Sequence, residues 1–183
     1  ACFTNNDFLA NSMRQIALHG QGKRYEHLKI GLNGRLDTIQ AAVLLAKLNI
    51  FDKEVNLRQE IGDKYTQKLN KEGFKKTPSL DPQNTSVYAQ YTIQIDSREE
   101  VIDFLKSKSI PTSIHYPKLL PDQVALNNKN RGFIKSIFKR SLYKSHLIPN
   151  SRNLVSKVLS LPMHPMLSEK DQDFVVETLK DAI

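Results

Sequence analysis

The chain has 183 residues, enough for one large domain or for one domain and part of a second, and its 39% hydrophobic and 25% charged residues exclude collagen-like and wholly disordered chains. The formal net charge is +8. It is unevenly placed: Lys129, Arg131, Lys135, Lys139, Arg140, Lys144, Arg152 and Lys157 fall between Gln123 and Ser168 with no acid among them, and the rest of the chain balances. Such a block suits phosphates or a solvated face, and the sequence by itself favours the face. The longest apolar stretches, such as Ala41 to Ala46, fall far short of the ~20 residues that cross a bilayer. The first residues also lack a signal-peptide pattern, so a cytoplasmic location is expected. The single cysteine, Cys2, rules out an internal disulfide and a multi-thiolate zinc site.

In chain order, Ala1 to Thr4 read as the end of a strand. Asn5, Asn6 and Asp7 then offer caps to a helix with Phe8, Leu9, Met13, Ile16 and Ala17 on its apolar side, stopping near Gly20. A polar, glycine-bearing loop from Gly20 to Gly34 feeds a helix through Leu36, Ile39, Ala42, Val43 and Ala46, expected to be buried. A long helix is predicted from about Asp52 to Asn70, with Val55, Ile61, Tyr65 and Leu69 inward and the pairs Glu54/Arg58 and Glu60/Lys64 outward. Alternation of Val87, Ala89, Tyr91, Ile93 and Ile95 with polar neighbours predicts a half-buried strand. Ser97 with Glu100 suggests a capping box opening a helix through Val101, Phe104 and Leu105, followed by strands at Ile110 to Tyr116 and Val155 to Leu161. Ser168 with Asp171 opens a last helix carrying Phe174, Val175 and Leu179. The order strand, helix, strand, strand, helix makes a small α/β domain. Between them a basic amphipathic stretch from Asn127 to Asn153 places Phe133, Ile134, Ile137, Phe138 and Leu142 on one face. No internal repeat and no low-complexity segment is present.

The signatures GxxxxGK[ST], HExxH, GxSxG and GxGxxG are absent, which removes the commonest nucleotide, zinc and hydrolase motifs. Gly20-Gln21-Gly22-Lys23 reads as plain loop. The five histidines, His19, His27, His115, His146 and His164, have no metal-ligand spacing. Two constellations stand out. Gly31-Leu32-Asn33-Gly34-Arg35 precedes a helix, and backbone amides with a carboxamide and a guanidinium suit a phosphate or carboxylate; a turn amide and a surface ion pair fit those residues equally well. His115-Tyr116-Pro117 closes a strand, where substrate contacts are common and amphipathic caps are too.

The run Tyr25-x-His27-x-x-x-Gly31-x-Asn33-x-Arg35-Leu36-Asp37-x-x-Gln40-Ala41-Ala42, followed by Lys47-Leu48, resembles the nucleotide-sugar aminotransferases of the DegT/DnrJ/StrS family. The likeness continues through Ser86 to Ile93, Ile110-Pro111-Thr112, His115-Tyr116-Pro117 and Leu159 to Pro165, so it spans nearly the whole chain. It looks closest to the branch acting on UDP-2-acetamido-2-deoxy-3-oxo-glucuronate.

The resemblance implies an α/β chain of the aspartate-aminotransferase-like (fold type I) class. Residues 1–52 would be the tail of the large domain with its dimer-interface loop, and residues 53–183 a linking helix and the small domain. It also implies pyridoxal 5'-phosphate (PLP) as cofactor, glutamate and a UDP-sugar as substrates, a homodimer, and a role in surface polysaccharide or O-antigen synthesis. Ala1 matches the last alanine of the family's Gly-Asp-x-Gly-Ala segment, and the family's Schiff-base lysine precedes that point. By the same likeness the aspartate that pairs with the pyridine nitrogen and the aromatic residue stacked on the ring are also absent. The chain is therefore expected to be a C-terminal portion that carries out no transamination alone. Asn33 matches the residue that reaches the cofactor phosphate of the neighbouring subunit. Arg35, His115 and Tyr116 match positions around the substrate, and Tyr25 and His27 would shape the same loop. The competing expectation is a non-catalytic basic module that binds nucleic acid or an anionic membrane through residues 129–157.

Overall fold

A computed structural model describes residues 2–123 and 148–183. The chain forms two compact units, Ala1–Phe51 and Asp52–Ile183.

In the first unit, α1 (Asp7–Ala17) starts where Asn6 Oδ1 accepts the amide of Leu9 at 3.0 Å, satisfying one of the free donors of the first turn. The residues before it, 2–4, carry no strand pairing, against the strand expected there; so short a segment has no neighbouring strand in this unit to pair with. The helix ends in a reversal at Gly20, whose φ of +76° is left-handed, and a Cβ there would lie 1.7 Å from the carbonyl oxygen of Lys29. The expected loop contains a small hairpin, β1 (Gln21–Lys23) antiparallel to β2 (Glu26–His27), with Tyr25 at φ +67° in its turn. Downstream, the backbone of residues 32–34 zips onto the end of α1. Leu32 N donates to Ile16 O at 2.9 Å, His19 N to Leu32 O at 3.0 Å and Gly34 N to Ala17 O at 2.9 Å. Helix α2 (Thr38–Leu48) is capped by the Asp37 carboxylate, which accepts from Ile39 N at 2.9 Å and Gln40 N at 3.3 Å. Its burial was expected and is not found: Ile39 is 73% exposed and Leu45 67%, and no residue of the helix is buried. A helix apolar on every side needs cover all round, and a unit of this size offers too little of it.

The second unit is built on α3 (Phe51–Lys71), in which Ile61, Tyr65 and Leu69, spaced by four, form a buried stripe. The expected outward pairs do not form. Lys64 reaches Glu169 at 3.1 Å, and Arg58 donates to the Tyr88 carbonyl at 3.4 Å, because partners across the fold lie nearer than those one turn away. The predicted strand shortens to β3 (Tyr91–Gln94). Tyr88, with φ +39°, breaks the alternation and turns its ring onto Gly62, so Tyr88 is buried and Val87 exposed.

Helix α4 (Arg98–Ser107) follows Ser97, whose side chain makes no capping bond; the Glu100 box is not realised. Residues 110–116 contribute one bridge, Ser113 to Ser160, rather than a strand. After α5 (Pro149–Leu154) comes β4 (Val158–Leu161), paired antiparallel to β3 in the register Tyr91↔Leu161, Thr92↔Ser160, Ile93↔Leu159 and Gln94↔Val158. Helix α6 (Glu169–Asp181) begins where Ser168 Oγ accepts the Asp171 amide at 3.1 Å. Its buried face holds Gln172, Val175, Val176 and Leu179, whereas Phe174, expected inward, is 48% exposed because it sits off that stripe.

One core gathers Tyr65, Leu69, Tyr91, Ile93, Val101, Leu105, Leu159, Val175, Val176 and Leu179, all at most 4% exposed. Buried polar ties pin the helices around it: Tyr65 Oη donates to Pro162 O at 3.1 Å and Gln172 Nε2 to Ile61 O at 2.8 Å.

Two of the eight residues of the basic block are neutralised by acids distant in sequence. Arg152 pairs with Asp122 at 3.1 Å and Lys157 with Asp96 at 2.7 Å. The amphipathic stretch from Phe133 to Leu142 and the other six basic residues lie outside the described residues. Among the described residues, no helix is long and apolar enough to cross a membrane.

Candidate functional site

The six residues singled out by sequence form two groups, one in each unit. In the first unit, the three backbone hydrogen bonds that zip residues 32–34 to α1 fix the position of Asn33, which also bridges Leu18. Its side chain is exposed and makes no hydrogen bond among the described residues, so its NH₂ group is free to donate. Arg35, two residues on, is exposed and likewise in no ion pair among the described residues. A neutral amide and a guanidinium held out on a pinned loop, with no side-chain partner among the described residues, are a donor set that suits a phosphate group. His27 has a structural part: its Nδ1 donates to the His19 carbonyl at 2.9 Å, tying the hairpin to the end of α1. Tyr25 sits at the hairpin turn, 79% exposed, beneath the guanidinium of Arg24 at 5.0 Å.

In the second unit, the rings of His115 and Tyr116 meet edge to face at 5.6 Å. Tyr116 is 71% exposed, while His115 is partly buried with Nδ1 3.0 Å from Ser160 Oγ. Ser160 Oγ in turn lies 2.8 Å from Thr92 Oγ1. The sheet explains the arrangement. Ser160 N and O both bond to Ser113, at 2.8 and 3.1 Å, so Thr92 and Ser160 are a non-hydrogen-bonded cross-strand pair with side chains close on one face. His115, two residues beyond Ser113, reaches the same face diagonally. Leu159 and Leu161 point the other way, into the core.

Thr92 and Ser160 were not singled out from the sequence. Both fall inside the family-like stretches Ser86 to Ile93 and Leu159 to Pro165, but their pairing gains meaning only once the register is known. Two grooves among the described residues, of about 510 and 620 Å³, are lined by none of the six candidate residues. Five of the six candidates are exposed and His115 is partly buried. Among the described residues no cluster of His, Cys, Asp or Glu could hold a metal ion.

A mixed α/β chain with these features is matched by solved PLP-enzyme folds. A DegT/DnrJ/EryC1/StrS aminotransferase from Brucella abortus superposes with a TM-score of 0.80 at 36% identity, over 98% of this chain and 44% of that one. The DegT/DnrJ/EryC1/StrS aminotransferase family matches residues 1–180, and the chain belongs to it. Its members are PLP-dependent. Among curated relatives, the UDP-2-acetamido-2-deoxy-3-oxo-D-glucuronate aminotransferase of Pseudomonas aeruginosa is 43% identical over 167 residues, 91% of this chain and 42% of that protein. The dTDP-3-amino-3,6-dideoxy-alpha-D-galactopyranose transaminase of Aneurinibacillus thermoaerophilus is 30% identical over 98% of this chain and 45% of its own length. The chain thus spans a little under half the length of the relatives it matches.

Proposed function

We propose that these 183 residues act as part of a PLP-dependent aminotransferase that moves an amino group from glutamate to a keto nucleotide sugar of the UDP-3-keto-N-acetylhexuronate type, for surface polysaccharide synthesis. In this reading residues 1–52 end the large domain, residues 53–183 make the linking helix and small domain, and the enzyme works as a cytoplasmic homodimer. The observation that carries it is the pair Asn33 and Arg35, held out on backbone pinned to α1 in a chain of this family.

When bound, PLP supplies an electron sink that makes a neighbouring C–H bond acidic. The chain's own residues bind and orient. Asn33 donates from its amide to the cofactor phosphate across the dimer. Arg35 offers its planar fork to the carboxylate or phosphate of the anionic substrate. His115 and Tyr116 contact the sugar nucleotide, with Tyr25 and His27 shaping the loop that carries the anion grip. By the family likeness none of these residues matches the Schiff-base lysine, so residues 1–183 alone are expected to turn over no substrate.

In the holoenzyme, Asn33→Ala is expected to weaken PLP retention about tenfold, the scale of one hydrogen bond to a charged group. Titration of the cofactor absorbance reads this. Retention equal to wild type would remove Asn33 from the phosphate site. Glutamate-dependent amination of the UDP-keto sugar by the holoenzyme, followed by mass spectrometry, tests the substrate; no product at any enzyme concentration would sink the reaction as proposed.

A further inference from the structure

We propose that Thr92 and Ser160 are positioning residues for His115: the two hydroxyls hold Nδ1 inward, fix one tautomer and present Nε2 as a hydrogen-bond donor to an anionic or carbonyl oxygen of the sugar nucleotide. The last clause rests on the reading of His115 as a substrate contact. The first part stands on the sheet alone.

Three polar atoms form a chain: Thr92 Oγ1, Ser160 Oγ at 2.8 Å from it, and His115 Nδ1 at 3.0 Å from Ser160 Oγ. Ser160 is 4% exposed, so its hydroxyl has little access to water. A serine hydroxyl has one proton to give. Facing two partners, Ser160 gives that proton to one and accepts from the other, so the chain runs either from Thr92 toward the imidazole or the reverse. When Thr92 donates to Ser160 and Ser160 to Nδ1, the neutral ring must carry its proton on Nε2, which is left as the outward donor. That direction suits a ligand rich in phosphate and carbonyl acceptors. In that direction Thr92 polarises the Ser160 hydroxyl toward Nδ1, and Ser160 is the only partner of that nitrogen among the described side chains, so loss of either hydroxyl loosens the hold on the tautomer.

The strand geometry makes the device rigid. Thr92 and Ser160 sit opposite each other in a non-hydrogen-bonded pair, and Ser160 is locked on its other side by two backbone bonds to Ser113. His115 is held two residues from that lock, so its backbone is fixed beside the hydroxyls. The partner that orients a histidine commonly sets which ring nitrogen faces the ligand. Here the orienting groups come from two strands separated by more than sixty residues of chain.

Nitrogen-15 NMR of histidine-labelled protein reads the tautomer directly, with the His115 signal assigned as the one lost in His115→Ala. Wild type and Thr92→Ser should show His115 predominantly as the Nε2–H form. Ser160→Ala and Thr92→Val should show mixed tautomers. Wild-type tautomer populations in both hydroxyl-deleted variants would overturn the proposal, as would a wild-type His115 carrying its proton on Nδ1. In the holoenzyme, Ser160→Ala and Thr92→Val should raise KM for the nucleotide sugar roughly fivefold with kcat little changed, and Thr92→Ser should restore it. If His115→Ala leaves KM at the wild-type value, the reading of His115 as a substrate contact fails while the tautomer measurement still decides the positioning. If His115→Ala raises KM and the hydroxyl deletions do not, the positioning alone is wrong.

Discussion

Gly62 has no freedom to carry a side chain. A Cβ there would lie 2.2 Å from Cδ2 of Tyr88, whose ring also donates from Oη to Asp63 at 3.2 Å and stands 5.6 Å from the ring of Tyr91. Gly62→Ala is therefore expected to destabilise the protein by about 1–3 kcal/mol, despite alanine's better helix propensity, because the displaced ring belongs to a packed cluster. Chemical denaturation reads the loss, and a stabilised variant would show that Tyr88 yields easily. Tyr65 stands beside it, with ring centroids 5.0 Å from Tyr91 and its hydroxyl on the Pro162 carbonyl. Tyr65→Phe should cost about 1–2 kcal/mol, since the partly buried Pro162 carbonyl loses its only donor among the described side chains while the packing is kept. The same measurement checks it.

At the scale of elements, two of the three described helix starts with a side-chain cap differ in what surrounds them. Asp37 caps α2, which buries nothing, and Ser168 caps α6, which lies against the core. Loss of either cap costs about 1 kcal/mol in the helix concerned. In Ser168→Ala the loss should appear in the main unfolding transition of the second unit. In Asp37→Ala it should appear as faster amide exchange confined to residues 38–48, because a helix held by few tertiary contacts opens locally. Equal protection of α2 in the variant and wild type would mean that α2 is covered in solution and does not depend on its cap.

For the whole molecule, the ion pairs at the rim of the second unit set the acid limit. Hydrogen bonding and charge from Lys180 lower the carboxyl of Glu72, those from Lys157 lower Asp96, and those from Lys64 lower Glu169. A carboxyl whose folded value lies below its unfolded one, ordinarily 4.5 for Glu and 3.8 for Asp, contributes stability above the unfolded value and loses it as the pH falls through the folded one. Asp96 and Glu169 are exposed and Glu72 is only partly covered, so each contribution is small. The melting temperature should fall between about pH 5 and pH 3, and Glu169→Gln should flatten that slope. An unchanged slope would show the pair with Lys64 to be idle. At the alkaline end, burial pushes Tyr91 up to about 12. The unfolded chain then releases its tyrosine protons first, near 10.0, and stability is lost as the pH rises through that range.

Local chemistry made much of this legible without coordinates: the cap at Asn6, the four-residue stripe of α3, the pairing of Ser168 with Asp171, and the motif from Tyr25 to Ala42 that marks the family. Such features act over a few residues, so the order of residues determines them. The tertiary structure decided the rest. Ion-pair partners were chosen across the fold, Tyr88 turned inward where alternation pointed to Val87, and α2 was left bare because a local apolar pattern cannot state what will cover it. The chain from Thr92 through Ser160 to His115 belongs to the same class: it exists only because the strand register brings together residues whose separation in sequence says nothing of their contact.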